Sequence, residues 1–122
     1  WRGLLAGVIG QTVHLITQRF EFERKQLIAA IGPCIQFDQY EVGQDLADAF
    51  RIAGLSDAIQ QDNCHKPHVN LRTAAVMQLN MSGVCDDAID QTDRCTYRDA
   101  SEFFSHRRDG KNTGRMAAVI AL

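Results

Sequence analysis

The run Leu27-Ile28-Ala29-Ala30-Ile31, closed by Gly32-Pro33, and the periodic stretch over residues 41–53 together decide the fold class. The first is a short continuous apolar run ended by a turn dipeptide, so residues 26–32 are predicted to form a buried strand. The second sets Val42, Leu46, Phe50 and Ala53 on one helical face, with Gly54 where a C-terminal cap belongs. Working outward, Leu5, Ile9, Val13, Ile16 and Phe20 recur at intervals of three and four. Leu4, Val8 and Leu15 widen that stripe, which predicts one amphipathic helix over residues 4–20. Gly7 and Gly10 cost such a helix about 1 kcal/mol each relative to Ala, and close approach of another backbone is the use expected for them. Residues 21–25 read as a polar connector and 56–66 as a surface loop. A third helix is predicted over 70–82, with Leu71, Ala75 and Leu79 in register and Gly83 as its cap. Residues 84–90 read as a short strand, 99–106 as a helical turn and 116–122 as a final buried strand. Helices that alternate with strands, and no internal repeat, make this a mixed α+β chain of β-sheet strands packed with helices.

Composition narrows the function classes. The 122 residues are 45% hydrophobic and 23% charged, ordinary globular usage that argues against disorder. A chain of this length buries roughly two-thirds of its unfolded surface, enough for a core. A net charge of −2 and a pI near 6.1 give no overall basic field for nucleic acid or an anionic membrane. Apolar runs such as 117–122 fall far short of the ~20 residues a membrane-spanning helix needs. Four cysteines without a Cys-x-x-Cys pair read as reduced thiols of a cytoplasmic protein. The ends are abrupt: Trp1-Arg2-Gly3-Leu4-Leu5 lacks a polar lead-in and the other end stops on an apolar run, so a piece of a longer chain is expected.

Several clusters bear chemistry. Asn63-Cys64-His65-Lys66-Pro67-His68 offers zinc-type donors, but only three lie close together, and a polar loop is the plainer reading. Phe103-Phe104-Ser105-His106-Arg107-Arg108-Asp109 gathers a hydroxyl, an imidazole and two guanidinium forks suited to phosphate or carboxylate. A solvated basic turn behind an aromatic pair is its structural counterpart. Ser105 and His106 are adjacent, so they aim poorly at one another as nucleophile and base. Cys34 follows a strand end of the kind that lines pockets, although buried cysteine is more often a small hydrophobe, and Cys95-Thr96 is read the same way. Arg2 enters the first helix against the helix dipole, a placement that a ligand or carboxylate partner explains, and a cut terminus equally. His14 reads as structural. No Gly-rich phosphate loop, EF-hand or His-Glu-x-x-His pattern is present.

Taken in order, Trp1-Arg2-Gly3-Leu4, Ile31-Gly32-Pro33-Cys34-Ile35, Tyr40-Glu41-Val42-Gly43, His68-Val69-Asn70-Leu71, Cys95-Thr96-Tyr97, Phe103-Phe104-Ser105-His106-Arg107-Arg108 and Thr113-Gly114-Arg115-Met116 resemble one family. The chain is similar to the YfiH-type laccase-domain family. That family was once labelled multicopper polyphenol oxidase and is now associated with purine nucleoside phosphorolysis and adenosine deamination. The resemblance spans nearly the whole chain but only the C-terminal half of a member. It implies a zinc enzyme whose two His and one Cys ligands all precede Trp1. The missing N-terminal half is then a partner of this chain, and none of Cys34, Cys64, Cys85 or Cys95 is a ligand. His106 stands where the family commonly has Tyr, and Asn70 where it commonly has Asp.

What the resemblance implies is a half-enzyme, inactive alone, that completes a pocket for purine nucleosides and phosphate. Arg2, Arg107 and Arg108 are its candidate substrate contacts, placed there by their charge, and no residue of this half is assigned a catalytic or metal-binding role. Two other readings stand beside it. A copper-dependent phenol oxidase would need several His-rich sites, which 4 His do not support. A non-catalytic module would use residues 103–108 on an anionic partner.

Overall fold

The chain enters through two helices rather than one. In the computed structural model, which describes residues 1–61 and 65–120, α1 covers Arg2–Leu5 and α2 covers Val8–Phe20. Gly7 separates them with φ +68°, a left-handed conformation that a residue without Cβ adopts freely. The single helix predicted over 4–20 is therefore corrected, and so is the role given to Gly7, since no atom lies within 4 Å of where its Cβ would be. Gly10 does face a neighbour, with Ser82 Oγ 3.4 Å from its Cβ position.

The apolar run yields strand β1, Ala29–Ile31. Helix α3, Gln44–Ile52, carries the second stripe, buries Ala47 and Phe50, and ends at Gly54 with φ +76°. It starts later than predicted because the residues ahead of it are extended: Glu41 bridges His68, and Val42 N–H donates to Pro67 C=O at 2.8 Å. A 3₁₀ turn at Ser56–Ala58 leads into β2, Ile59–Gln60, which pairs antiparallel with β3, His68–Val69. Helix α4, Leu71–Met81, follows, with Asn70 capping its start by accepting from Thr73 N–H at 3.1 Å. The strand predicted over 84–90 divides into a 3₁₀ turn, Asp86–Ala88, and β4, Ile89–Gln91. Helix α5, His106–Asp109, begins where the helical turn predicted over 99–106 was to end. Residues 116–120 form no strand, and Met116, Val119 and Ile120 are exposed, which corrects the predicted final strand; residues 121 and 122 lie outside the described residues.

β1 and β4 run parallel, with Ala29 opposite Ile89 and Ile31 opposite Gln91. Their continuations stay side by side, Cys34 bridging Cys95 and Thr96 N–H donating to Cys34 C=O at 3.0 Å. Two apolar clusters hold this frame. Phe50, Leu55, Val69 and Ala74 centre the larger one, while Val13, Leu79 and Val84 join α2 to α4 in the smaller. α4 feeds both, and its Gln78 Nε2 donates to Leu4 C=O at 2.6 Å, tying α4 to α1. Leu15, Phe20, Ile28 and Ile52 remain exposed, a substantial apolar surface for so short a chain.

Phe50 has no exposed surface and sits at the centre of the larger cluster. Phe50→Ala should destabilise the fold by about 3–5 kcal/mol, from lost burial plus the residual cavity. Urea unfolding followed by circular dichroism measures this, and a cost under about 1 kcal/mol would mean that Phe50 does not anchor the core.

Candidate active site

The segment from Arg94 to Asp109 is fixed by polar contacts rather than by regular structure. Cys95 is fully buried, and its Sγ accepts the N–H groups of Gln36 and Arg98 at 3.4 Å each. Cys95 N–H donates to Asp99 Oδ2 at 3.0 Å, and Arg94 Nε lies 3.2 Å from the same oxygen. These contacts, led by the Cys95 hydrogen bond, hold the Asp99 carboxyl below the usual carboxylate range. Arg94 also pairs with Glu102. Arg72 Nη1 reaches Thr92 C=O at 2.9 Å and fastens the segment to α4.

Arg108 closes it. Its Nη1 donates to the carbonyls of Thr96 (3.0 Å) and Tyr97 (2.9 Å), and its Nη2 to Phe103 C=O (2.9 Å) and Asp109 Oδ2 (2.9 Å). Nε donates to Asp109 Oδ1 at 2.8 Å, so all five donors of the guanidinium are engaged within the chain. Asp109 also accepts Ser105 N–H at 3.3 Å, and the Arg108 fork holds its carboxyl below the usual range. Ser105 Oγ caps α5 by accepting Arg108 N–H at 3.4 Å and is buried, so it is not presented as a nucleophile.

Arg107 points the other way. Its guanidinium lies 4.9 Å from the centre of the Tyr40 ring, and Nη1 donates to Glu41 C=O at 2.9 Å. Burial pushes the Tyr40 phenol up, against the pull of the Arg107 charge. Three clefts converge here. The largest, about 600 Å³, runs between Trp1, Tyr40, Asp45 and Arg107, but Glu41 and Asp45 make its wall acidic and Lys66 is paired to Glu41 at 3.2 Å. A second, about 440 Å³, is walled by Trp1, Cys34, Tyr40, Phe104, His106 and Arg107. The third, about 430 Å³, shares Phe104, His106 and Met116 with the second and adds Arg2 and Arg115. Arg2 stacks on the Trp1 ring at 4.6 Å.

Of the three candidate arginines, the structure brings Arg2 and Arg107 to these clefts and turns Arg108 inward. Cys34 lines the second cleft, where burial pushes its thiol up, and His14 is an exposed residue of α2. Of the 63–68 cluster, Asn63 and Cys64 lie outside the described residues, and His68 packs on Phe37 with ring centres 5.5 Å apart. Zinc takes four ligands or three plus water, yet among the described residues no three His, Cys, Asp or Glu side chains gather, so these residues do not fit such a centre. Reasoning from residue types missed Tyr40, Phe104 and Arg115 as cleft residues. All three stand in segments that carry the family resemblance, the one signal that could have found them.

Residues 1–122 match the family model described as multi-copper polyphenol oxidoreductase laccase. The chain belongs to that family. This laccase-domain chain is 37% identical over 127 residues to purine nucleoside phosphorylase YfiH of Escherichia coli, covering all of this chain and 48% of that protein. It is 31% identical over 125 residues to a purine nucleoside phosphorylase of Bacteroides thetaiotaomicron, again covering all of this chain and 46% of the relative. The crystal structure of YlmD from Geobacillus stearothermophilus superposes with a TM-score of 0.82 at 30% identity, over 89% of this chain and 42% of that one. The chain thus spans about half the length of the relatives it matches.

Two outcomes follow for the laccase-domain chain. The raised thiol of Cys34 leaves little thiolate at neutral pH, so iodoacetamide should label exposed Cys85 well before Cys34. Peptide mass spectrometry over a time course reads this, and equal rates would contradict the burial. The depressed Asp109 carboxyl stabilises the fold above the ordinary carboxyl value of about 3.9, and that contribution is lost as pH falls through its lower folded value. Asp109→Asn should therefore lower Tm at pH 7, and the two proteins should converge only below about pH 3.9. A deficit that stays constant to pH 3 would contradict the assignment.

Proposed function

We propose that this chain is the C-terminal half of a purine nucleoside phosphorylase that also deaminates adenosine, inactive without the rest of its protein. The observation that carries the reading is the cleft lined by aromatic side chains with Arg107 fixed in its wall, in a chain whose relatives bear that enzyme name. In phosphorolysis the bond between the purine nitrogen and C1′ of ribose breaks, a phosphate oxygen bonds to C1′, and the base leaves with the electron pair and takes up a proton. Deamination exchanges the 6-amino group of adenosine for oxygen from water and releases ammonia.

The tasks of this half are binding and orientation. Phe104 is an exposed aromatic ring of this cleft and offers a face for a purine, while Tyr40 is buried with Arg107 over its ring and Trp1 completes the lining. Arg107 lines the cleft and is held by Tyr40 and Glu41 before any ligand arrives, so a contact through its other donors carries little ordering cost. Arg108 positions its neighbour by fixing the segment that bears both. Zinc, which would polarise the reacting centre, belongs to this reading with ligands from outside these residues. The setting proposed is the cytoplasm; among the described residues no helix is long and apolar enough to cross a membrane.

Copper-dependent phenol oxidation fits the side chains less well. His14 on α2, His68 on β3 and His106 on α5 stand on separate elements, and among the described residues they form no copper-type cluster.

In the intact protein, inosine plus phosphate should give hypoxanthine and ribose 1-phosphate, resolved by liquid chromatography. Arg107→Ala should lower kcat/KM by roughly ten- to a hundredfold, the loss of one charge-assisted hydrogen bond of about 1.5–3 kcal/mol. An unchanged kcat/KM would remove Arg107 from the site. Salt-sensitive anion binding without turnover would favour a non-catalytic module.

A further inference from the structure

The third cleft has a composition that its neighbours lack. Arg2, His106 and Arg115 line it together with Phe104, Thr113, Gly114 and Met116, and none of these is acidic. Among the described residues, none of the three basic side chains is paired with a carboxylate. Arg115 Nη1 is held by the carbonyls of Thr113 and Gly114 at 3.1 Å each, which leaves Nε and Nη2 for a ligand. Arg2 is fixed by its stacking on Trp1. Two arginines without a carboxylate partner among the described residues, beside an imidazole and with no acidic residue in the wall, attract a compact multivalent anion.

The position of Arg115 depends on close packing. A Cβ on Gly114 would lie 2.6 Å from the Phe104 ring, so only glycine lets this segment cross that face. Phe104 therefore serves both clefts, one side against the aromatic cavity and its ring edge under the segment that carries Arg115.

We propose that Arg2, His106 and Arg115 form a phosphate-binding subsite contiguous with the aromatic cleft. This deepens the nucleoside reading and rests on it for the identity of the neighbouring ligand, but the subsite itself requires only a phosphate group. That group is either free inorganic phosphate or the phosphate of a nucleotide that extends into the cavity.

The test is calorimetric titration of the intact protein with inorganic phosphate, with inosine and with adenosine 5′-monophosphate. Phosphate affinity should fall about tenfold in Arg115→Ala and in His106→Ala, one hydrogen bond to a charged group each, while inosine affinity stays unchanged in Arg115→Ala, because Arg115 does not line the aromatic cleft. Arg115→Lys should recover part of the loss, as a point charge without the fork. Gly114→Ala, which keeps all three side chains but shifts Arg115, should also weaken phosphate. Phosphate that binds together with inosine identifies the free anion as the ligand. A monophosphate that depends on Arg115 and displaces inosine identifies a nucleotide. Phosphate bound equally by wild type, Arg115→Ala and His106→Ala would overturn the subsite. Should phosphate binding depend on these residues while inosine neither binds nor reacts, the subsite stands and the nucleoside reading falls.

Discussion

The five-donor engagement of Arg108 is the constraint on which the rest of the site depends. Residues 94–109 contain little regular structure, and short turns engage only some of their backbone carbonyls, those of Cys95, Arg98, Asp99 and Ser105 among them. One planar guanidinium collects three others, from Thr96, Tyr97 and Phe103, and clamps the result to Asp109. Because the fork is rigid and permanently charged, it sets the geometry of the segment as a strand ladder would. Phe104, His106 and Arg107 then project from a fixed frame. The two adjacent arginines have opposite uses: one holds the scaffold, and the other sits on Tyr40 with donors to spare.

Beneath that frame, the parallel pair β1–β4 and its continuation through Cys34 and Cys95 bring the two halves of the site together. Parallel pairing requires a long crossover, and α3 and α4 occupy it. The crossover carries the larger apolar cluster, so the burial that stabilises the chain also fixes Tyr40, the ring on which Arg107 rests. Core and cleft share one architecture here, and the cleft wall is the edge of the packed interior.

The helices were legible where periodicity and caps agree. α4 follows its Leu71, Ala75 and Leu79 spacing and ends beside Gly83, and α3 ends at Gly54. The break at Gly7 was not legible, because the stripe from Leu5 to Phe20 continues across it and only the backbone angle shows the interruption. The apolar end over 116–122 misled for another reason: a strand is a relation between two segments, and among the described residues nothing pairs with 116–120. Arg108 could not be read from composition, since carbonyl partners leave no mark in a sequence. Residue types alone led as far as a basic, anion-binding turn. Tyr40, Phe104 and Arg115 became functional candidates only once the fold set them around shared clefts.

The central claim is that a purine lies on the Phe104 ring in the aromatic cleft, within reach of Arg107. A crystal structure of the intact protein with inosine tests it most directly. The expected result is the base in van der Waals contact with the Phe104 ring, and an Arg107 donor within about 3 Å of the nucleoside. Inosine seated on a surface that touches neither Phe104 nor Arg107 would contradict the account.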